Sequence, residues 1–229
     1  MSNLKLSVVL PAYEEAENLK ILLPRINSSL DHLNYEVLVI DTQSPLDGTN
    51  QVCSLNNAYC IPREGGDTFG DAVRTGIKFA KGEYIVFMDA DCSHDPEFIN
   101  NLMGYSEEYD VVIASRYIED GQSDNNLVLR LMSKILNFTY AFILNIPCKD
   151  VSNSFKVYHS SSIKSINLYC NNFDIVEEIL FKLSKSKTNF KIKEIPFNFK
   201  KREHGTTKRN LFHFVFTYLI TIIKLRFGK

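Results

Sequence analysis

The stretch Tyr84-Ile85-Val86-Phe87-Met88-Asp89-Ala90-Asp91 decides the fold. Its first five residues are apolar with no polar alternate, which predicts a strand covered on both faces, as in a parallel sheet. The run stops at Asp89, so two carboxylates two positions apart stand where a buried strand opens into a loop. Working outward, three more runs share this form: residues 6–10, residues 37–40 ending at Asp41, and residues 111–114 ending at Ser115-Arg116. Helical patterns lie between them at residues 14–30, 49–56, 71–80 and 96–103. Strands alternating with helices predict an α/β fold, a mostly parallel sheet flanked by helices. Ligands of such sheets bind beyond the carboxyl ends of the strands, where Asp41, Asp89 and Arg116 fall.

The second half is less regular. Residues 126–146 predict a long apolar-rich helix with Arg130, Ser133, Lys134 and Asn137 along one face. A helix near residues 174–184 and a strand near residues 190–195 follow. Residues 212–223 come nearest to a membrane span but fall short of the ~20 apolar residues one needs. On that helix His213, Thr217, Thr221 and Lys224 form one polar stripe, flanked by Lys208, Arg209, Lys224, Arg226 and Lys229. The pattern predicts a C-terminal amphipathic helix lying in a membrane interface. The other reading docks it on the domain or on a second subunit. The expected division is one domain over residues 1–210 and a membrane-associating helix over residues 211–229.

Composition narrows the partners. The 229 residues carry 26 Lys+Arg and 27 Asp+Glu, a net charge of -1, with 45% hydrophobic and 12% aromatic residues. That is enough apolar material for a core and excludes an unstructured chain. Residues 182–229 hold 13 basic and two acidic residues, against 13 basic and 25 acidic before them. A basic tail predicts an anionic partner, either nucleic acid or an anionic lipid surface. No nucleic-acid reader motif or stacking platform accompanies it, so the expected partner is a membrane surface and not nucleic acid. Five cysteines at unrelated spacings argue against a zinc site or a disulfide scaffold and predict reduced thiols in a cytoplasmic protein. The N-terminus enters its first strand almost at once, with none of the marks of a signal peptide.

Asp89-Ala90-Asp91 can direct two carboxylates at one hard cation. Mg²⁺ and Mn²⁺ take such oxygen ligands and share them with substrate phosphates. Pro11-Ala12-Tyr13-Glu14-Glu15 follows the first strand without a G-x-G-x-x-G pattern, and no G-x-x-x-x-G-K-[ST] loop occurs. A glycine-backed nicotinamide site and an ordinary P-loop NTPase are thereby excluded. A Tyr and a Glu at that place either contact a nucleobase or simply begin a helix.

Several ordered motifs carry a family resemblance. They are Val9-Leu-Pro-Ala-Tyr-Glu-Glu-Ala-Glu-Asn18, Val39-Ile-Asp-Thr-Gln-Ser-Pro-Leu-Asp-Gly-Thr49, residues 66–76, Met88-Asp-Ala-Asp-Cys-Ser-His94 and Ser115-Arg-Tyr117. Arg130-Leu-Met-Ser133, residues 150–155 and residues 195–208 extend them. Together they resemble the family 2 inverting glycosyltransferases of the GT-A fold. More narrowly, they resemble the dolichyl-phosphate mannose synthases and bacterial polyprenyl-phosphate glycosyltransferases. The resemblance implies a Rossmann-like GT-A (nucleotide-diphospho-sugar transferase) sheet. It also implies metal-dependent, inverting transfer of a hexose, foremost mannose from GDP-mannose, to a polyprenyl phosphate. Pro11, Tyr13, Glu15, Val39 and Asp41 would hold base and ribose. Asp89, Ala90, Asp91 and Lys208 would meet the donor diphosphate, and Asp91 with Ser93 and Asp89 would bind Mg²⁺ or Mn²⁺. Arg116, Arg130, Ser133 and Arg202 would surround the acceptor phosphate. Asp89, Asp91, Arg116 and Arg202 would carry the chemistry. The chain departs from the family at Asp41-Thr42, where two adjacent aspartates are common, and at Leu46, an extra residue in the following turn. It departs again at Asn153-Ser154, where Ser-Gly is more usual before the Phe.

A phosphate monoester with a second pKa of about 6 is largely a dianion near neutral pH. Transfer to it needs cations to gather two anions rather than a base. The alternative, transfer to a saccharide hydroxyl in capsule or surface-polysaccharide assembly, would need a base such as Glu177 or Glu178. From another class comes a non-catalytic nucleotide-sugar-binding membrane scaffold. His94 and His204 read as loop residues, and Lys200 and Lys201 as solvated charges. The expected location is cytoplasmic and peripheral at the inner membrane face. A second copy or a membrane protein is the other expected occupant of the C-terminal helix.

Overall fold

The computed structural model describes residues 4–202 and 211–227. In chain order the elements are β1 (Leu6–Pro11), α1 (Ala16–Ser29), β2 (Tyr35–Asp41), α2 (Thr49–Leu55), β3 (Tyr59–Pro62), α3 (Phe69–Phe79), β4 (Tyr84–Phe87), α4 (Phe98–Met103) and β5 (Val111–Ser115). There follow β6 (Gln122–Ser123), α5 (Leu127–Leu144), β7 (Lys156–His159), α6 (Ser160–Lys164), α7 (Ile175–Ser186), β8 (Ile192–Pro196), β9 (Asn198–Phe199) and α8 (Leu211–Phe227). Seven strands form one sheet in the order β3-β2-β1-β4-β7-β5-β8, and β6 pairs with β9 in a small second sheet. Within the large sheet β7 alone runs antiparallel, to β4 and to β5.

The strands alternate as their apolar runs require. Val8, Leu10, Val37, Val39, Val86 and Val112 enter one core, while Val9, Leu38, Ile40, Ile85 and Ile113 enter the other. The sheet is therefore covered on both faces. Local chemistry sets the helices. Thr68 and Asp71 form a capping box at the start of α3, satisfying donors the helix cannot satisfy itself. The Asn126 side chain accepts from Leu129 N–H to cap α5. A Cβ at Gly76 would come within 2.3 Å of Val9 Cγ1, so glycine is what lets α3 lie close on β1.

From β1 the chain moves outward through β2 and β3, then returns so that β4 pairs with the other side of β1. This reversal opens a crevice between β1 and β4 at the carboxyl edge of the sheet, the usual place for a ligand. Pro11 to Glu15 and Met88 to Asp91 border it.

Four strands lie outside the expected set: the two-residue β6 and β9, and β3 and β7 of the large sheet. β3 is a four-residue edge strand, half-exposed and ending at Pro62, so its apolar run is too short to mark it. β7 opens with Lys156, which is fully buried and donates from Nζ to Val151 O at 2.8 Å and to Asn153 O. A lysine reads as solvent-facing in sequence; here backbone carbonyls receive it. The antiparallel sense of β7 brings residues 150–155 to the same edge as the carboxyl ends of the parallel strands.

The helices of the second half also differ from expectation. By length and composition α5, not the C-terminal helix, is among the described residues the one long and apolar enough to cross a membrane: 18 residues with mean hydropathy 1.5, of which 17% are buried. Arg130 and Lys134 interrupt its apolar run in sequence but leave one side uniformly apolar. In α8, Tyr218, Thr221 and Ile222 are buried. Tyr140 Oη donates to Tyr218 O at 2.9 Å, and Thr221 Oγ1 donates to Asp174 Oδ2. Thr221, expected in a polar stripe, thus meets protein rather than water. Ile223, Lys224, Arg226 and Phe227 are exposed. The side chains of His213 and Thr217, and residues His204, Lys208, Arg209 and Lys229, lie outside the described residues.

Four cations of the basic tail are answered within the molecule. Lys182 pairs with Glu178, Lys187 with Asp110, Lys200 with Asp95 and Arg202 with Asp91. Lys200, expected to be a solvated charge, is tied to Asp95 at 2.7 Å.

Candidate active site

Asp91 follows β4 and is held from two sides. Its Oδ1 accepts from Ser93 N–H at 3.1 Å, and its Oδ2 from Arg202 Nη2 at 2.8 Å. Burial by itself would raise its pKa; the Ser93 and Arg202 hydrogen bonds outweigh burial and keep it below the usual carboxylate value. Arg202 also lies 3.7 Å from Glu15 Oε1, so the segment after β9 closes against both β1 and β4. Cys92, between Asp91 and Ser93, takes a left-handed conformation at φ 64, as does Glu14 at φ 54. Such conformations are unfavourable for residues with a Cβ and concentrate at functional loops.

Asp89 is bounded by two neighbours, His94 and Ser154. Its backbone N–H donates to His94 Nδ1 at 3.0 Å, its Oδ1 accepts from Ser154 Oγ at 2.8 Å, and its Oδ2 lies 3.9 Å from His94 Nε2. His94 lies in this loop, as expected, but faces the core rather than solvent. It is fully buried, stacked on Phe155 at 4.8 Å and edge-on to Phe197 and Phe199. Burial lowers its pKa against the opposing pull of Asp89 and Asp91, so it is a neutral strut under the loop.

Arg116 is less free than its place at a strand end suggested. Nε and Nη2 grip Asp150 at 2.8 and 2.7 Å, Nη2 reaches Ser152 Oγ at 3.1 Å, and the guanidinium lies over the rings of Tyr117 and Phe199. Burial would depress the guanidinium, but Asp150 overrides it and holds the proton more tightly than usual. The pairing spans 34 positions, which is why residue spacing gave no sign of it. Nη1 is outside the pair.

On the nucleotide side, Tyr13 is exposed and Pro11 half-buried at the end of β1, while Val39 is wholly buried in the core. Asp41 Oδ1 accepts from Thr42 N–H at 2.8 Å, and its Oδ2 is buried without a hydrogen-bond partner. Burial, with Asp47 and Asp67 nearby, raises the Asp41 pKa. Arg63, a residue the sequence reading passed over, follows the unexpected strand β3. It is buried and donates to Ala12 O and Asp67 O, tying β1 to the loop before α3.

Arg130 and Ser133 stand apart from this cluster, on α5. Arg130 is exposed. Ser133 O accepts from Asn137 Nδ2 at 2.8 Å, and the same amide reaches Ser152 Oγ at 2.9 Å, so the helix connects to Arg116 through Ser152. Lys208 lies outside the described residues. Neither carboxylate suggested as a base stands in the crevice. Glu177 is fully buried, and Glu178 accepts from the N–H groups of Tyr169 and Cys170 and from Lys182.

A mostly parallel α/β sheet with an Asp-x-Asp loop at its β1/β4 reversal is the GT-A architecture of nucleotide-diphospho-sugar transferases. Glucosyl-3-phosphoglycerate synthase from Mycobacterium tuberculosis, solved with Mn²⁺, UDP and phosphoglyceric acid, superposes with a TM-score of 0.76 at 18% identity, over 98% of this chain and 79% of that one. The same enzyme solved with Mg²⁺ and UDP gives 0.74. At that identity the likeness speaks to the fold. The family is shown by the sequence: the glycosyl transferase family 2 model matches residues 7–166, and the chain belongs to that family. The dolichol-phosphate mannosyltransferase of Pyrococcus furiosus is 34% identical over 212 residues, 90% of this chain. The polyprenol monophosphomannose synthase of Mycolicibacterium smegmatis is 27% identical over 219 residues, 88% of this chain and 79% of its own length. The chain spans 59% of the length of the Pyrococcus protein.

Proposed function

We propose that this protein transfers a hexose from a nucleotide-sugar to a polyprenyl phosphate, with GDP-mannose the foremost donor. The observation that carries the reading is the contact of Arg202 with Asp91 and its approach to Glu15. A cation from the far end of the chain arrives where a donor diphosphate and an acceptor phosphate must meet. The names of the two relatives support the acceptor class.

A divalent cation fits beside Asp91. Ser93 Oγ is buried there without a hydrogen-bond partner, and the available donors are hard oxygens. Among the described residues no group of three or more His, Cys, Asp or Glu could hold a metal, so phosphate oxygens and water would complete the shell. Held by Asp91, Ser93 and Asp89, Mg²⁺ or Mn²⁺ would offset the charge developing on the leaving diphosphate. The remaining work falls to side chains. Asp41 offers an unpartnered carboxylate oxygen to the nucleoside, with Pro11, Tyr13, Glu15 and Val39 around it. Arg202 exchanges Asp91 for phosphate, a bidentate match for a guanidinium. Arg116, oriented by Asp150, presents Nη1, and Arg130, Ser133 and Lys208 add donors on the acceptor side. With the acceptor already anionic, no base is needed.

The outer side of α5 supports attachment to a bilayer. Leu127, Val128, Leu131, Ile135, Phe138 and Phe142 are exposed along it, with the cations Arg130 and Lys134 beside them. Apolar rows flanked by cations bind anionic interfaces without spanning them. This face lies on the helix that also carries Arg130 and Ser133, which would bring a lipid-borne phosphate to the site from the membrane's inner face. The exposed end of α8, with Lys224, Arg226 and Phe227, adds to it.

Incubation of purified protein with Mn²⁺, undecaprenyl or dolichyl phosphate and a panel of labelled donors (GDP-mannose, UDP-glucose, UDP-galactose, UDP-N-acetyl sugars) tests the proposal. A labelled glycolipid from at least one donor is expected. Its absence with all of them, or transfer only to saccharide hydroxyls, would overturn it.

A further inference from the structure

Ser154 stands in the loop that β7 brings to the edge of the sheet, and its hydroxyl donates to Asp89 Oδ1 at 2.8 Å across 65 positions of chain. Both residues line one small cleft, together with Pro11, Phe69, Val176 and Ile179. The loop is fixed on either side of the serine. Asn153 Nδ2 donates to Ala114 O at 2.6 Å, and the Phe155 carbonyl accepts from Ala114 N–H at 3.0 Å. Phe155 in turn carries the stacked His94 ring. The hydroxyl therefore acts from a rigid base.

His94 supplies a competing contact. Its Nδ1 accepts the Asp89 backbone N–H, so the neutral ring carries its proton on Nε2. That Nε2 is buried and makes no hydrogen bond. Asp89 Oδ2 lies 3.9 Å away, beyond hydrogen-bond reach, and the Asn153 side chain is the other polar neighbour of the ring. A buried donor without an acceptor is unfavourable. Rotation of the Asp89 side chain toward His94 would relieve it, and would also turn the carboxylate inward, away from a donor in the crevice. The Ser154 bond opposes that rotation by holding Oδ1.

We infer that Ser154 is a positioning residue: it keeps the Asp89 carboxylate facing the donor against the pull of His94. The inference rests on the proposed role of Asp89 in donor binding.

The test compares wild type, Ser154→Ala, Ser154→Thr and Asp89→Asn with the donor that wild type uses best, and measures KM, kcat, donor affinity by calorimetry with Mn²⁺, and Tm. If the alanine variant lets Asp89 divide its time between two orientations, only the competent fraction binds. Donor KM and Kd then rise about three- to ten-fold, while kcat at saturation stays within about two-fold. Ser154→Thr, which keeps the hydroxyl, should restore the wild-type values. Tm should fall only slightly, since Ser154 is half-buried and water can replace the lost bond. Wild-type kinetics in Ser154→Ala, with Asp89→Asn impaired, would overturn the role of Ser154 alone. So would a fall in Tm and kcat together at constant KM, which marks ordinary structural damage. A wild-type protein that binds no nucleotide-sugar would instead contradict the donor-site reading on which the inference stands.

Discussion

Two pairs of opposite charge are buried within the same part of the sheet, and they behave in opposite ways. Asp150 and Arg116 meet in a bidentate bond. Although burial pushes the Asp150 carboxyl up, the guanidinium overrides it and the acid stays ionised. Glu177 and Lys156 are equally buried but make no such bond. Lys156 spends its hydrogens on Val151 O and Asn153 O, and both Glu177 oxygens lack a partner. Burial then prevails over mutual attraction, pushing Glu177 up to about 8 and Lys156 down to about 8. Nearness of opposite charge is not enough; hydrogen-bond geometry decides whether a buried pair remains ionic. The ionic pair ties the end of β5 to the loop before β7.

The largest test of this contrast is Asp150→Ala. It leaves Arg116 charged, buried and without its acceptor, and should cost about 3–5 kcal/mol in denaturant unfolding, with transfer activity lost as well. A loss under about 1 kcal/mol would show that the pair does not hold the site.

Glu177→Gln is the next largest, and opposite in sign. An acid with a raised folded pKa stays protonated in the native state while the unfolded chain has already ionised. Native stability therefore falls as pH rises from the ordinary 4.5 to about 8. The amide removes this dependence, so the variant should gain at least about 1 kcal/mol over wild type at pH 8 and little at pH 4.5. Equal destabilisation at both pH values would mean that Glu177 is an ion-pair partner after all.

Smallest is the half-exposed pair Lys200–Asp95. Burial raises the Asp95 carboxyl, but contacts with Glu97, Lys200 and Arg25 bring it down from 3.8 to about 2. A depressed carboxylate stabilises above its unfolded value, so this contribution is present above pH 3.8 and is lost as pH falls through about 2. Solvent screens the pair, and Lys200→Ala should cost no more than about 1 kcal/mol at pH 7. A separate surface test lies on α5. Replacing Phe138 and Phe142 with Ser should weaken co-sedimentation with anionic vesicles at least about ten-fold without unfolding the domain, since both rings are exposed.

The same contrast between regions describes what the sequence revealed. β1, β2, β4 and β5 are central strands covered on both faces, and their apolar runs name them at sight. The carboxylates at their ends, Asp41, Asp89 and Asp91, were legible for the same reason: each breaks an apolar run at a strand end. β3 is an edge strand and β7 begins with a buried lysine, so neither carries that signal. The contacts that orient the site were not legible, because Arg116–Asp150 and Asp89–Ser154 join residues 34 and 65 positions apart. Their geometry depends on β7 running against its neighbours, which periodicity does not encode. His94 lies in a loop, as expected, but its burial among three phenylalanines carries no sequence signal, because those residues are 61 to 105 positions away.

The most direct measurement is transfer of labelled hexose to polyprenyl phosphate by wild type and Asp91→Ala side by side, with Mn²⁺ and with excess chelator. Product from wild type with metal, none with chelator, and a loss of at least about a hundred-fold in Asp91→Ala are the expected results. No product from wild type, or equal product from both proteins, would contradict a glycosyl transfer site built on the Asp89-Ala90-Asp91 loop.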